Sequence, residues 1–382
     1  MNKFCLLIAL VAVTITSCTK SGGDSPTESK TIKIGHYASL TGKEATFGTE
    51  VDAGVKMAVD EINKSGGLVG KQIELITEDT QSNPQGAGNA VEKLIGNDKV
   101  IAIIGEVASG RSLIGGPICQ RNKIPMVSPA STNEKVTQTG DYVFRICYID
   151  PFQGSVLAKF AFDNLHKKTA AVLKDNANAY SVGLTANFTK QFSSMGGNIV
   201  EEQSYQGGES DFKAQLTAIK AKNPDVIFVP GYYTETSLIA VQARELGIKA
   251  PLLGGDGWDS PVLTQGAAKQ ALEGSFFTNH YSEEDTSTIV KNFISKFTST
   301  YSGKTPGAMS ALGYDAMMII AKTIKDGGSA TSEVIKNGIT NLKNYPGITG
   351  NITIDANRNA NKSAVVLEIK NGKFTYSTTV AP

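Results

Sequence analysis

The segment from Ile101 to Thr132 constrains the fold more than any other. It reads IAIIGEVASGRS, a helical run to Lys123, and then IPMVSPASTNEK. Each half is a short apolar strand, a group of small polar residues and a helix start. Two parallel strands of this kind bring hydroxyls and unpaired backbone N–H groups to one edge of a sheet, which makes an anion site. Ser109, Ala130, Ser131 and Thr132 stand at those strand ends. A carboxylate or phosphate held there fixes one end of a small ligand. Ordinary helix capping by the same residues is the competing reading.

The same alternation runs along most of the chain. Strands are expected over Thr31–Gly35, Lys71–Glu78, Val100–Ile104, Ile124–Val127 and Tyr142–Ile146, with helices between them. Asn83-Pro84 gives a cap and first turn for one of those helices. The pattern restarts near residue 150, with a helix from Pro151 to about Leu165 and a second strand–helix series. Ile352–Ile354, Ala364–Ile369 and Phe374–Tyr376 read as closing strands, the last two joined by the turn Lys370-Asn371-Gly372-Lys373. Alternating elements predict α/β architecture: two doubly wound parallel-sheet, Rossmann-like domains. The 382 residues are enough for both.

Lys plus Arg (37) balance Asp plus Glu (36), so no basic surplus points to nucleic acid. The N-terminus carries one Lys and then an apolar stretch, Leu6–Thr14, too short to span a bilayer. Ile15-Thr16-Ser17-Cys18 resembles the lipobox of bacterial lipoproteins. That resemblance implies a signal peptide over 1–17, lipidation of Cys18 and a Ser/Gly-rich tether over 18–30. The expected location is the cell envelope, in the periplasm or on the outer face of the cytoplasmic membrane, with the membrane contacted through the N-terminal lipid. An ordinary signal peptide with an incidental Cys is the alternative. Cys119 and Cys147 remain as a disulfide or as two buried thiols.

Several motifs point away from catalysis. Gly105–Ser112 approaches a phosphate-loop spacing, but Arg111 stands where Lys is required. Asp355, Asn357 and Asn359 alternate like a calcium loop, but Ala360 and Val366 occupy the Gly and Glu positions. His36, His166 and His280 are scattered, without metal-binding partners, and no base is placed beside Ser109. The expectation is a protein that is not an enzyme, with no metal and no cofactor.

TGKEATFG, the helix AGVKMAVDEINKSGGLVGKQIEL, the pair IIGEVASG and IPMVSPASTN, TGDYVFRICYIDPFQG, ESDFKAQLTAIKAKNPDVIFVPGYY and LLGGDGWDS occur in that order. Over residues 31 to 378 the chain resembles the branched-chain amino acid receptors of ABC transporters, which have the type I periplasmic-binding-protein fold. The resemblance implies three crossings, near Ile146–Pro151, Thr278–Tyr281 and Gly350–Asn357. Domain 1 then comprises 31–148 plus 281–352, and domain 2 comprises 149–280 plus 353–382. It implies that Ser109, Ala130 and Thr132 hold an amino-acid carboxylate. Asp256, where such receptors often carry Glu, takes the ammonium with help from the Ala130 carbonyl. Tyr180 and Tyr232 clamp the apolar part and offer their hydroxyls to the polar end, Phe47 lines the wall of domain 1, and Trp258 lies two residues past Asp256. Glu106 departs from the pattern: it recognises a second cationic group or points to solvent. The implied function is capture of an amino acid, leucine, isoleucine or valine, and its delivery by a monomer to an ABC permease. The alternatives are another small carboxylate or amide, or a sensing domain with a signalling partner.

Overall fold

Strand β1 (Thr31–Ala38) lies inside a five-stranded sheet in the computed structural model, which describes residues 31–382. The expected signal peptide, Cys18 and tether lie outside the described residues. The partners of β1 are β2 (Gln72–Asp79), β3 (Ala102–Ile104), β4 (Met126–Ser128) and β5 (Val143–Arg145), in the order β2-β1-β3-β4-β5. Every pairing is parallel. The helices between them are α1 (Ala45–Lys64), α2 (Pro84–Gly96), α3 (Ser109–Asn122) and the short α4 (Lys135–Gln138). The cap of α2 is the one its sequence announces: Asn83 Oδ1 accepts from Gly86 N at 2.8 Å and Pro84 fills the first turn. Helix α1 buries Phe47, Val51, Val55, Ala58 and Ile62 along one face, at spacings of three and four.

The second series begins with α5 (Asp150–Lys159) and continues through β6 (Thr169–Asp175), α6 (Ala179–Ser194), β7 (Asn198–Tyr205) and α7 (Lys213–Lys222). It goes on through β8 (Val226–Phe228), α8 (Tyr233–Glu245), β9 (Leu252–Gly254), α9 (Gly266–Ala271) and β10 (Ser275–Asn279). Helix α5 is shorter than its sequence pattern suggests. Residues Phe160–Asn164 widen into a π-turn, with Leu165 N bonded to Phe160 O at 3.0 Å.

After β10 the chain leaves the second sheet and forms α10 (Thr288–Thr300), α11 (Ala308–Gly327) and α12 (Ser332–Thr340). Helix α11 packs on α1, so this late segment returns to the first sheet. The approach is close enough to require glycine: a Cβ on Gly54 would collide with the Ser310 carbonyl, and one on Gly313 with the Val51 carbonyl.

The strands β11 (Tyr345–Gly347), β12 (Gly350–Ile354) and β13 (Ala360–Asn361) form a small antiparallel sheet of their own. Ile352–Ile354, expected among the closing strands, belong to this sheet rather than to either large one. Strands β14 (Ala364–Lys370) and β15 (Lys373–Val380) then complete the order β15-β14-β10-β9-β8-β6-β7. They run antiparallel, so the second sheet is mixed rather than wholly parallel. Their turn, Asn371-Gly372, has φ of 53° and 71°, the positive pair of a tight hairpin.

Cys119 and Cys147 are free buried thiols, not a disulfide. Cys119 packs from inside α3 against Tyr37, Met126 and Val143. Cys147 lies in the connection after β5, where burial pushes the thiol up to about 12, partly opposed by Arg145.

Candidate functional site

The C-terminal ends of β3 and β4 lie side by side, and the residues following them are almost wholly buried. Ser109 opens α3, whose N-cap residue Ala108 supplies no side-chain cap. Its hydroxyl oxygen accepts from Asn133 N at 3.2 Å. The Thr132 hydroxyl, 1% exposed as a residue, makes no hydrogen bond of normal geometry among the described residues, although the Asp150 carboxyl is near enough to feel it. Ser109, Ala130 and Thr132 line one side of a cavity of about 210 Å³. Asp256, Tyr180 and Tyr232 line the other, while Phe47, Val107 and Met309 supply apolar wall.

Ser131 does not reach this cavity. Its hydroxyl is 2.9 Å from Glu106 O, 2.8 Å from Val107 O and 2.7 Å from Ser112 Oγ, and its N–H donates to Ser128 Oγ at 2.9 Å. Thr132, the next residue, lines the cavity, so the two side chains diverge. Ser131 instead ties the two strand ends together.

Arg145 positions the loop from below, a role the sequence pattern did not reveal. Buried at the end of β5, it donates to Ser131 O at 2.5 Å, Asn133 O at 2.8 Å and Thr137 Oγ1 at 3.2 Å. Burial pushes its guanidinium pKa down. It still serves as a rigid fork spanning the loop.

Glu106 neither faces the cavity nor points to solvent. It is fully buried and accepts from Ser39 Oγ at 2.7 Å, Thr80 Oγ1 at 3.0 Å and Ala108 N at 2.8 Å. Arg111 Nε stands 3.0 Å away, and Arg111 Nη1 pairs with Glu44. Burial alone would raise the Glu106 pKa, but Arg111 and the donated hydrogen bonds outweigh it and hold the carboxyl below its usual range. Arg111 is thus committed to two glutamates and is not free for a phosphate. Asp355 is likewise committed to its own turn, with Oδ1 accepting from Asn357 N at 2.8 Å and Asn359 N at 2.9 Å.

The opposite wall is built on the second sheet. Asp256 follows β9 and is 3% exposed. Its N–H donates to Gln153 Oε1 at 2.8 Å, and Gly257 N donates to the Tyr180 hydroxyl at 3.2 Å. Asp256 Oδ1 has no partner among the described residues, while Oδ2 is 3.0 Å from His280 Nε2. No sequence motif links His280 to Asp256. Burial pushes the His280 pKa down, partly opposed by Asp256. Asp150, at the start of α5, is pushed up to about 8 by burial. The rings of Tyr180 and Tyr232 stack at 5.3 Å, and Phe47 meets Tyr232 edge-on at 5.6 Å. Burial pushes both tyrosines well above their ordinary pKa, so their hydroxyls keep their protons. Trp258 is buried beneath the wall, its Nε1 donating to Val229 O at 3.0 Å.

Direct hydrogen bonds join the two walls. Tyr233 and Thr234, from α8, donate to Lys43 O at 3.1 and 2.8 Å. Asn133 Nδ2 donates to Ala179 O at 2.8 Å, and Met309 N to Asp259 Oδ2 at 3.3 Å.

A family model described as periplasmic binding protein matches residues 31–373. The chain belongs to the periplasmic binding proteins. This family comprises exported solute receptors rather than enzymes. Among solved structures, the binding protein is similar to the leucine-binding protein LivK of Thermotoga maritima, at 40% identity and TM-score 0.87. That match covers 92% of this chain and 99% of the other. It is also similar to LivJ of Streptococcus pneumoniae, solved in complex with isoleucine, at 33% identity and TM-score 0.88. There the coverage is 92% of this chain and 100% of LivJ. A Leu/Ile/Val-binding protein homolog of Brucella abortus is 29% identical over 355 residues, 90% of this chain and 93% of the other. The binding protein thus spans nearly the whole length of each.

Proposed function

We propose that the protein captures leucine, isoleucine or valine in the cavity between its two sheets and delivers it to an ABC permease. The single observation that carries this reading is the pairing of two buried, unpartnered acceptor or donor groups across one small cavity: the Thr132 hydroxyl and Asp256 Oδ1. In this reading Ser109, Thr132 and nearby backbone N–H groups take the ligand carboxylate. Asp256 Oδ1 and the Ala130 carbonyl take its ammonium. Phe47, Tyr180 and Tyr232 enclose the side chain. An α-amino acid presents its two charges at a fixed short separation, so two opposed sites select for it over a simple acid or amine. The engagement of Glu106 by Arg111 removes that carboxylate as a partner for a second cation, which favours an aliphatic side chain.

The crossings after β5, after β10 and between β12 and β14 serve as the hinge of two lobes, 31–148 plus 281–352 and 149–280 plus 353–382. Ligand contacts from both lobes exist only when the cleft is shut, so binding shifts the population to the closed form that the permease recognises. Cleavage before Cys18 and its lipidation hold the receptor, as a monomer, at the membrane.

A thermal-shift screen against the amino acids, simple amides and aromatic carboxylates tests this. A ligand that binds only the folded state raises the melting temperature by mass action. The expected result is a shift with the branched-chain amino acids. A shift confined to an amide or aromatic acid would replace the ligand while keeping the receptor. No shift with any compound would contradict the reading.

A further inference from the structure

The two oxygens of Asp256 have different surroundings. Oδ1 is buried and without a partner among the described residues, and the residue lines the cavity. Oδ2 is 3.0 Å from His280 Nε2. An aspartate χ2 torsion is soft, with broad and roughly twofold preferences. A carboxylate held only by its backbone would therefore present a variable face to a ligand. One hydrogen bond to one oxygen removes that freedom.

The ring making this bond is itself immobilised. His280 follows β10 directly, where the chain leaves the second sheet. Its face stacks on Tyr148 with centroids 3.9 Å apart and planes 24° from parallel. Tyr148 lies between β5 and α5, where the chain first passes from one sheet to the other. Both rings are buried. The His280 N–H donates to Asn279 Oδ1 at 2.8 Å, and Asn279 Nδ2 donates to Asp259 Oδ1 at 3.0 Å. The charged groups acting on the ring are Asp256 and Lys362, the latter from the third passage between the sheets.

We infer that His280 is a positioning residue for recognition of the ligand's ammonium: its Nε2–H holds Asp256 Oδ2 so that Oδ1 faces the cavity, and its stack on Tyr148 ties that orientation to the crossings. This rests on the amino-acid reading above. The role falls on the ammonium and not on the carboxylate, which is held from the other wall by Ser109 and Thr132. It therefore separates leucine from 4-methylpentanoate, which has the same carbon skeleton and carboxylate but no amino group.

The test measures Kd for both compounds by calorimetry in the wild-type protein, His280→Phe and His280→Gln. The wild type is expected to prefer leucine. His280→Phe keeps the stack and loses the donor, and its preference for leucine should shrink about tenfold or more, as a hydrogen bond to a charged group warrants. His280→Gln retains a donor and should keep more of the preference than Phe does. A Phe variant that loses affinity equally for both compounds, or for neither, overturns the inference. A wild-type protein that binds no amino acid overturns the amino-acid reading as well, which distinguishes the two failures. Nitrogen-15 NMR of the wild-type histidines needs no variant to fold. His36 directs Nδ1 at Ile104 O, 3.0 Å away, so its ring is expected as the Nδ1–H tautomer. His280 is expected as the Nε2–H tautomer, with a shift that moves on adding leucine. A His280 ring found as the Nδ1–H tautomer, with a bare Nε2, overturns the inference.

Discussion

Arg111 Nε lies 3.0 Å from Glu106 Oε1, and the whole pair is buried one turn from the proposed carboxylate site. A lone glutamate there would repel an anionic ligand. The guanidinium cancels it and bridges to Glu44. Arg111→Met strands two buried carboxylates, and breaking such a pair costs about 3–5 kcal/mol. Urea unfolding should show a loss of that size. Pairing the change with Glu106→Gln should restore part of it, and strict additivity of the two effects would show that the residues are uncoupled.

The two poles of the cavity should be separable by mutation. Asp256→Ala and Ser109→Ala each remove a partner of a charged ligand group, worth about 1.5–3 kcal/mol. Each should weaken leucine binding by about an order of magnitude or more in calorimetry. Undiminished affinity in both would remove this site assignment.

Glu50 on α1 and Asp259 in the turn after β9 approach one another across the cleft. A Cβ on Gly307 would collide with Glu50 Oε2 and stand 3.3 Å from Asp259 Oδ2. Burial pushes Asp259 up to about 6 from 3.8, partly opposed by hydrogen bonds from Asn279 and from the Met309 and Ala308 backbone. Burial and then Asp259 push Glu50 well above its ordinary value. A carboxyl raised in the folded state binds more protons there than in the unfolded chain, so ionising it destabilises the fold. The Asp259 contribution is therefore fully favourable below about pH 4 and is lost as pH rises through about 6. Glu50→Gln should flatten the fall in melting temperature over that interval and raise it at pH 7. An unchanged pH profile would contradict the coupling.

The anchor rests on Ile15-Thr16-Ser17-Cys18. Cells expressing the protein and fed labelled palmitate should label the wild type. Cys18→Ala should remain unlabelled and unprocessed. A labelled Cys18→Ala protein would place the lipid elsewhere.

Much of the fold was legible because its signals are local. Asn83-Pro84 caps a helix, Asn371-Gly372 turns a hairpin, and strand-then-small-polar junctions put Ser109 and Thr132 at one sheet edge. What was not legible depends on contacts distant in sequence. His280 lies 24 residues past Asp256 and reaches it only because β10 runs beside β9. Arg145 holds the Thr132 loop through backbone carbonyls, which carry no sequence signature. Ser131 and Thr132 are alike by composition, yet hydrogen bonds to the Glu106 and Val107 carbonyls turn Ser131 away from the cavity. Glu106 departs from the family pattern in sequence, and its partner Arg111, five residues on inside α3, is set by the fold of the loop between them.

The most direct test of the central claim is an electron-density map of the protein crystallised with leucine. One molecule should fill the cavity, its carboxylate within hydrogen-bonding distance of Ser109 Oγ and Thr132 Oγ1 and its ammonium on Asp256 Oδ1. A leucine bound elsewhere, or turned so that its carboxylate faces Asp256, would contradict the account.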